Sequence, residues 1–231
     1  MSDSAILSQQ VAKFERKPLT VETIRETHAE RRQDIAARLA EFAAIGRSGS
    51  DEDLWAEMVF CFFTGGCSAR MGINSLAAVR HLLMNADVEE LTQALIGKHR
   101  YPNARSKYIV TSRTFLLEHC GMRLRKKLNT FENALDRRDW LVREKGIKGL
   151  GYKEASHYLR NIGYSGYAIL DKHVLGCLAE LKIIDDAKPP NTRLKYLTVE
   201  EKLRLFSIDV GLDFDELDLV LWSMKTGVIL K

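Results

Sequence analysis

The sequence predicts an all-α protein, and three observations carry that prediction. Only four prolines interrupt the 231 residues: Pro18, Pro102, Pro189 and Pro190. Nearly every stretch between breakers repeats its apolar residues at helical period. No alternating apolar and polar run is long enough for a half-buried strand. Roughly ten helices fit the length, about one per 20–25 residues.

The totals bound the class. At 45% hydrophobic and 29% charged, the composition is that of an ordinary globular chain long enough to bury a core. Lys and Arg number 35 against 31 Asp and Glu, giving a net charge of +4. That balance is compatible with nucleic acid but does not demand it. Cys61, Cys67, Cys120 and Cys177 are scattered, without a C-x-x-C pair or the spacing of a zinc site or iron–sulfur cluster. They read as buried free thiols, and no metal ligand set is expected. The first 17 residues lack the apolar core of a signal peptide, and no run approaches the ~20 apolar residues of a membrane span. A cytoplasmic protein is the expectation, associated with the nucleoid if the source is prokaryotic.

Each element has a local reason. Thr20 can cap a long helix from about Val21 to Ile45, with Ile24, Ile35, Leu39 and Phe42 on one face and Glu30, Arg31 and Arg32 outside. Gly46, Ser48, Gly49 and Ser50 then read as a loop. Ser50 with Asp53 resembles a capping box opening LWAEMVFCFF, which is apolar almost all round and therefore central. That helix ends at Thr64-Gly65-Gly66, and SARMG reads as a turn before a helix from Ser75 to Met84. Asp87 and Glu90 cap a short helix to Ile96. GKHRYPNARSKYIV reads as a basic loop entering a helix that Gly121 stops after Cys120. The charged segment 122–144 suits one or two exposed helices, and DDAKPPNT (185–192) is a loop. Thr198 can cap a helix through Ile208, and Asp213 another ending near Met224.

The chemistry concentrates in residues 147–173, IKGLGYKEASHYLRNIGYSGYAILDKH. Gly149-Leu150-Gly151 suits a hairpin between helices where the backbone must come close to something. Open N–H groups at the following helix start are an anion site, usually for phosphate. Lys153 falls in the first turn of that helix, where the macrodipole costs its ammonium about 0.3–1 kcal/mol. That is too little to make it a nucleophile, so burial or neighbouring cations such as Lys148 and Lys172 must add to it. A solvated surface lysine accounts for it equally. Asp171 directly precedes the next helical run, where an N-cap alone explains it. The same carboxylate could also face a developing positive charge, such as an oxocarbenium-like sugar.

The order G-h-G, Lys153, then Asp171 before a helix resembles the helix-hairpin-helix (HhH-GPD) superfamily of base-excision DNA glycosylases. GLGYKEASHYLRNIG with AILDKHVL resembles its type-2 8-oxoguanine DNA glycosylase/lyase family in particular. YPNARSKYIV (101–110), FTGGCSARMG and the terminal LWSMKTGVILK extend the likeness to about four-fifths of the chain. The resemblance implies two helical subdomains, with the hairpin at the cleft, acting as one glycosylase unit over 1–231. It makes Lys153 the nucleophile and Asp171 the catalytic carboxylate. It makes Lys231 a recognition group for 8-oxoguanine and Trp222 a platform for the extruded base. Read without the family, Trp222 is a core residue and Lys231 a chain end. Gly149 and Gly151 would hold a backbone phosphate, while Arg70, Asn103 and Arg105 would contact DNA around the vacated base. The family usually has bulkier residues where this chain reads Gly65-Gly66-Cys67. The implied partner is duplex DNA containing 8-oxoguanine, the implied state a monomer, and the implied cofactor none. A hairpin of this kind also serves as a non-catalytic DNA-binding module in other proteins.

Overall fold

The computed structural model describes residues 17–230. Among them lie eleven α-helices and one 3₁₀ turn, without a strand, as the helical periodicity predicted. Lys231 lies outside the described residues. The helices are α1 (Val21–Ser48), α2 (Asp51–Thr64), α3 (Ala69–Val79), α4 (Val88–Leu95), α5 (Pro102–Cys120) and α6 (Leu124–Leu128), followed by α7 (Ala134–Arg143), α8 (Tyr152–Asn161), α9 (Lys172–Glu180), α10 (Arg193–Val210) and α11 (Phe214–Thr226). No helix among the described residues is long and apolar enough to cross a membrane. Two compact units divide the chain: a mid-chain unit, residues 42–164, and an end unit formed by the residues before 42 and after 164.

The mid-chain unit is built on α2. Ser50 and Asp53 close the expected capping box at 3.1 and 3.0 Å, and every residue from Leu54 to Thr64 is buried. A helix apolar on all sides can only be a core helix, and α3, α6 and α8 pack against it. Trp55 sets its ring edge-on to Phe62 and donates to the Leu83 carbonyl at 3.4 Å. Glu57, buried, accepts from Asn161 Nδ2 at 3.1 Å and so ties α2 to the far end of α8.

Helix α1 runs three residues past Ile45. Gly46 does not end it: a Cβ there would sit 2.4 Å from the Ile162 carbonyl oxygen, so this glycine admits another backbone. Nor does Arg31 stay outside, because its Nη1 donates to the Gly227 carbonyl at 3.0 Å. SARMG is helical rather than a turn, since Ser68 caps α3 by accepting from Met71 N. The basic segment after Tyr101 is likewise the first turn of α5, with Pro102 at its first position, where a fixed φ suits a helix start. Gly121 ends α5 in the left-handed region at φ 58°, as expected. The charged stretch 122–144 holds two helices, but Leu124, Leu128, Leu141 and Arg138 on them are buried. Of the cysteines, Cys61 and Cys177 are buried while Cys67 and Cys120 are half-buried. Burial pushes the Cys177 thiol up to about 12.

In the end unit, α10 begins at Arg193, six residues ahead of the expected start. Thr192 is its cap and Thr198 lies within it, bonding Leu194 O. Helices α9 and α10 each pack against α11. The buried segment 167–170 is held by α10: Tyr196 donates its hydroxyl to Ala168 O at 2.7 Å, and Ala168 N donates to Glu200 at 2.9 Å. Asp215 of α11 accepts from Gly166 N at 3.0 Å. These bonds fix the backbone that delivers Asp171 to the start of α9.

Candidate active site

The hairpin and Lys153 belong to the mid-chain unit. Helices α7 and α8 pack against each other, and residues 144–151 turn between them. Ile147 N donates to Glu144 O at 3.1 Å to make the turn, and Lys148 N donates to Ser112 Oγ of α5 at 2.9 Å to anchor it. Gly149 has φ +79°, and a Cβ on it would lie 2.6 Å from the Tyr108 ring. Conformation and crowding both require glycine there. Gly151, the N-cap of α8, has an ordinary φ of −86° and no side-chain cap. Among the described residues, no hydrogen bond within the protein engages the N–H groups of Gly149, Leu150 or Gly151. The start of α8 therefore retains its donors and its positive end for an external anion.

Lys153 sits at the second position of α8 with its side chain 24% exposed. Its Nζ lies 2.9 Å from Glu154 Oε1, a carboxylate only 16% exposed. Nothing in the sequence singles out Glu154, because adjacent residues of a helix do not face each other.

Around the turn at 65–67, the structure divides the expected DNA contacts. Arg70 and Asn103 are exposed, in the first turns of α3 and α5. Arg105 is buried: its Nη2 donates to Gly65 O, and its guanidinium lies 5.7 Å from the Tyr101 ring centre and 5.3 Å from that of Tyr108. His99 braces the same corner, accepting from Tyr101 N at 2.9 Å through Nδ1 and meeting Phe63 O at 3.1 Å through Nε2. With Nδ1 an acceptor, Nε2 carries the proton, and burial lowers the His99 pKa in favour of this neutral ring.

In the end unit, Asp171 caps α9 as the sequence suggested. Its Oδ1 accepts from both His173 N and Val174 N at 2.8 Å. Its Oδ2 has no hydrogen bond among the described residues. Trp222 of α11 is half-buried rather than a core residue, with its ring edge-on to His173 at 6.3 Å between centres. The structure thus brings Trp222 to the first turn that Asp171 caps. Ile229 and Leu230, which follow α11, are buried, and Lys225 pairs with Glu180.

An all-helical chain with an open glycine hairpin, a lysine in the following helix turn and a capping aspartate defines the helix-hairpin-helix DNA glycosylase class. The profile of one family within it, 8-oxoguanine DNA glycosylase, matches residues 35–212. The chain belongs to that family. It is 39% identical to the 8-oxoguanine DNA glycosylase/AP lyase of Korarchaeum cryptofilum, over 87% of this chain and 91% of the relative. The crystal structure of Methanocaldococcus jannaschii 8-oxoguanine glycosylase/lyase, in complex with a DNA 15-mer containing 8-oxoguanine, superposes with a TM-score of 0.83. That match has 36% identity and covers 91% of this chain and 99% of the other. The 8-oxoguanine DNA glycosylase of Thermotoga maritima gives a TM-score of 0.83 at 33% identity, covering 91% and 98%.

Proposed function

We propose that this chain excises 8-oxoguanine from duplex DNA and then cleaves the strand at the abasic site, with residues 1–231 acting as one monomeric glycosylase unit. The observation that carries this reading is Lys153 in the first turn of α8, behind a glycine hairpin whose N–H donors are unspent. The hairpin amides of Gly149 and Gly151 take a backbone phosphate, and the damaged nucleotide leaves the stack at a cost of a few kcal/mol. The neutral Lys153 amine forms a bond to the anomeric carbon as the glycosidic bond breaks with its electron pair on the base. Asp171, its Oδ1 held by two amides, turns Oδ2 to the positive charge growing on the sugar. Ring opening leaves a Schiff base, and loss of the adjacent proton expels the 3′ phosphate by β-elimination. Every bond in this sequence is made and broken by amine, carboxylate and water, so the chain's own groups suffice.

Trp222 stacks on the extruded base, a contact worth about 1–3 kcal/mol, and the terminal Lys231 distinguishes 8-oxoguanine from guanine. Arg70 and Asn103 reach the DNA directly. Arg105, being buried, acts by fixing the 65–67 turn.

Incubation of the chain with an 8-oxoguanine duplex and borohydride tests the reading. A covalent protein–DNA adduct that disappears in Lys153→Gln is the expected result. Tight binding without an adduct would instead make the hairpin a non-catalytic module.

A further inference from the structure

We infer that Glu154 is a catalytic residue, the proton acceptor that converts the Lys153 ammonium into the attacking amine; this rests on the assignment of Lys153 as nucleophile made above. Three features of the mid-chain unit carry it. First, the carboxylate touches the reacting atom, with Oε1 2.9 Å from Nζ. Second, the contact is not what a helix provides by default. Successive side chains diverge by about 100°, so neighbours meet only when something beyond the helix bends them together. Here Glu154 reaches back to Gly151 at the start of α8, the direction in which helical side chains tilt. Third, Gly151 leaves room for it, because a Cβ there would sit 3.1 Å from Oε2.

The local charges leave Lys153 as the cation paired with this carboxylate. Arg105 of α5 donates to the Gly65 carbonyl. On α2, Glu57 bonds Asn161, and Cys61 is buried. On α7, Arg138 bonds Ser156, Asp139 accepts from the Tyr152 hydroxyl, and Arg143 pairs with Asp139. Lys148 on the hairpin is exposed. The step balances simply. One proton passes from Nζ to the carboxylate, the freed lone pair forms the bond to the anomeric carbon, and Glu154 then loses that proton to the departing base anion or to water.

The test compares rates of borohydride-trapped adduct formation on 8-oxoguanine duplex across pH. Glu154→Gln is expected to slow trapping on the order of 10²-fold near neutrality. The deficit should shrink as the pH rises, because solvent then removes the proton instead. Affinity for a duplex bearing a non-cleavable abasic analogue should not change, and Glu154→Asp should recover part of the rate. Trapping by Glu154→Gln at the wild-type rate, or a deficit of the same size at every pH, would overturn the inference. Should Glu154→Gln not fold, Glu154→Asp keeps the charge at the helix start and carries the same pH comparison. The two readings separate cleanly: absence of an adduct from the unaltered chain sinks the assignment of Lys153, whereas an adduct unaffected by Glu154→Gln sinks only the role of Glu154.

Discussion

Two helix starts, one in each unit, solve the same problem in opposite ways. Helix α9 begins with its own anion: Asp171 satisfies two of the orphan amides through Oδ1. Helix α8 begins with glycine and no side-chain cap, and its hairpin donors stay open. A capped start is stable by itself and has an oxygen to spare. One that begins with glycine forgoes only roughly a few tenths of a kcal/mol of capping and keeps a binding site. The contrast separates a carboxylate placed for charge from a backbone placed for phosphate, and substitutions at each start can test whether that division holds.

The largest effect is expected at the open start. Lys153→Gln should lower strand cleavage and trapping by on the order of 10³-fold or more while lesion DNA still binds, measured by single-turnover kinetics beside a binding titration. At the capped start, Asp171→Asn should reduce turnover by about 10²–10³-fold with little change in melting temperature, since Asn caps as well as Asp. Turnover left intact in Asp171→Asn would show Asp171 to be a cap and nothing more. Gly149→Ala should cost about 1–2 kcal/mol in denaturant unfolding from the left-handed backbone alone. It should weaken DNA binding in parallel, because Tyr108 must move.

The smallest effect concerns His99, which braces the corner between α2 and α5. Burial lowers its folded-state pKa below the ordinary 6.5. Its stabilisation is therefore present above about pH 6.5 and lost as the pH falls through the folded value, at no more than about 1.4 kcal/mol per pH unit. Melting temperatures should fall more steeply with acid for the wild-type chain than for His99→Gln; parallel curves would exclude His99 as the sensitive group.

Much of this is legible in the sequence. The capping box at Ser50 and Asp53, the caps at Asp171 and Asp213 and the stop at Gly121 are local chemistry, read from a few neighbouring residues. Elements were misplaced where long-range packing decides. Gly46 looked like a terminator but is a packing contact with Ile162 and Gly163. Thr198 looked like a cap, while the helix starts at Thr192 and is tied to the rest of the unit by Tyr196 and Glu200. Pro102 marked a helix start that a basic composition disguised as a loop. Arg105 shows the limit most clearly. The family resemblance places it among the DNA contacts, while the guanidinium is buried on the Gly65 carbonyl, a partner 40 residues away.

The sequence by itself determined the helical class, the order of hairpin, lysine and aspartate, and the family to which they belong. Those depend on residue identity and short spacing, which a chain carries whether folded or not. Tertiary structure alone decided that the α8 start stays open, that Asp171 keeps one oxygen unengaged, and that Glu154 meets Lys153. Each of these depends on where separate turns and glycines leave space, and only the packed chain defines that space.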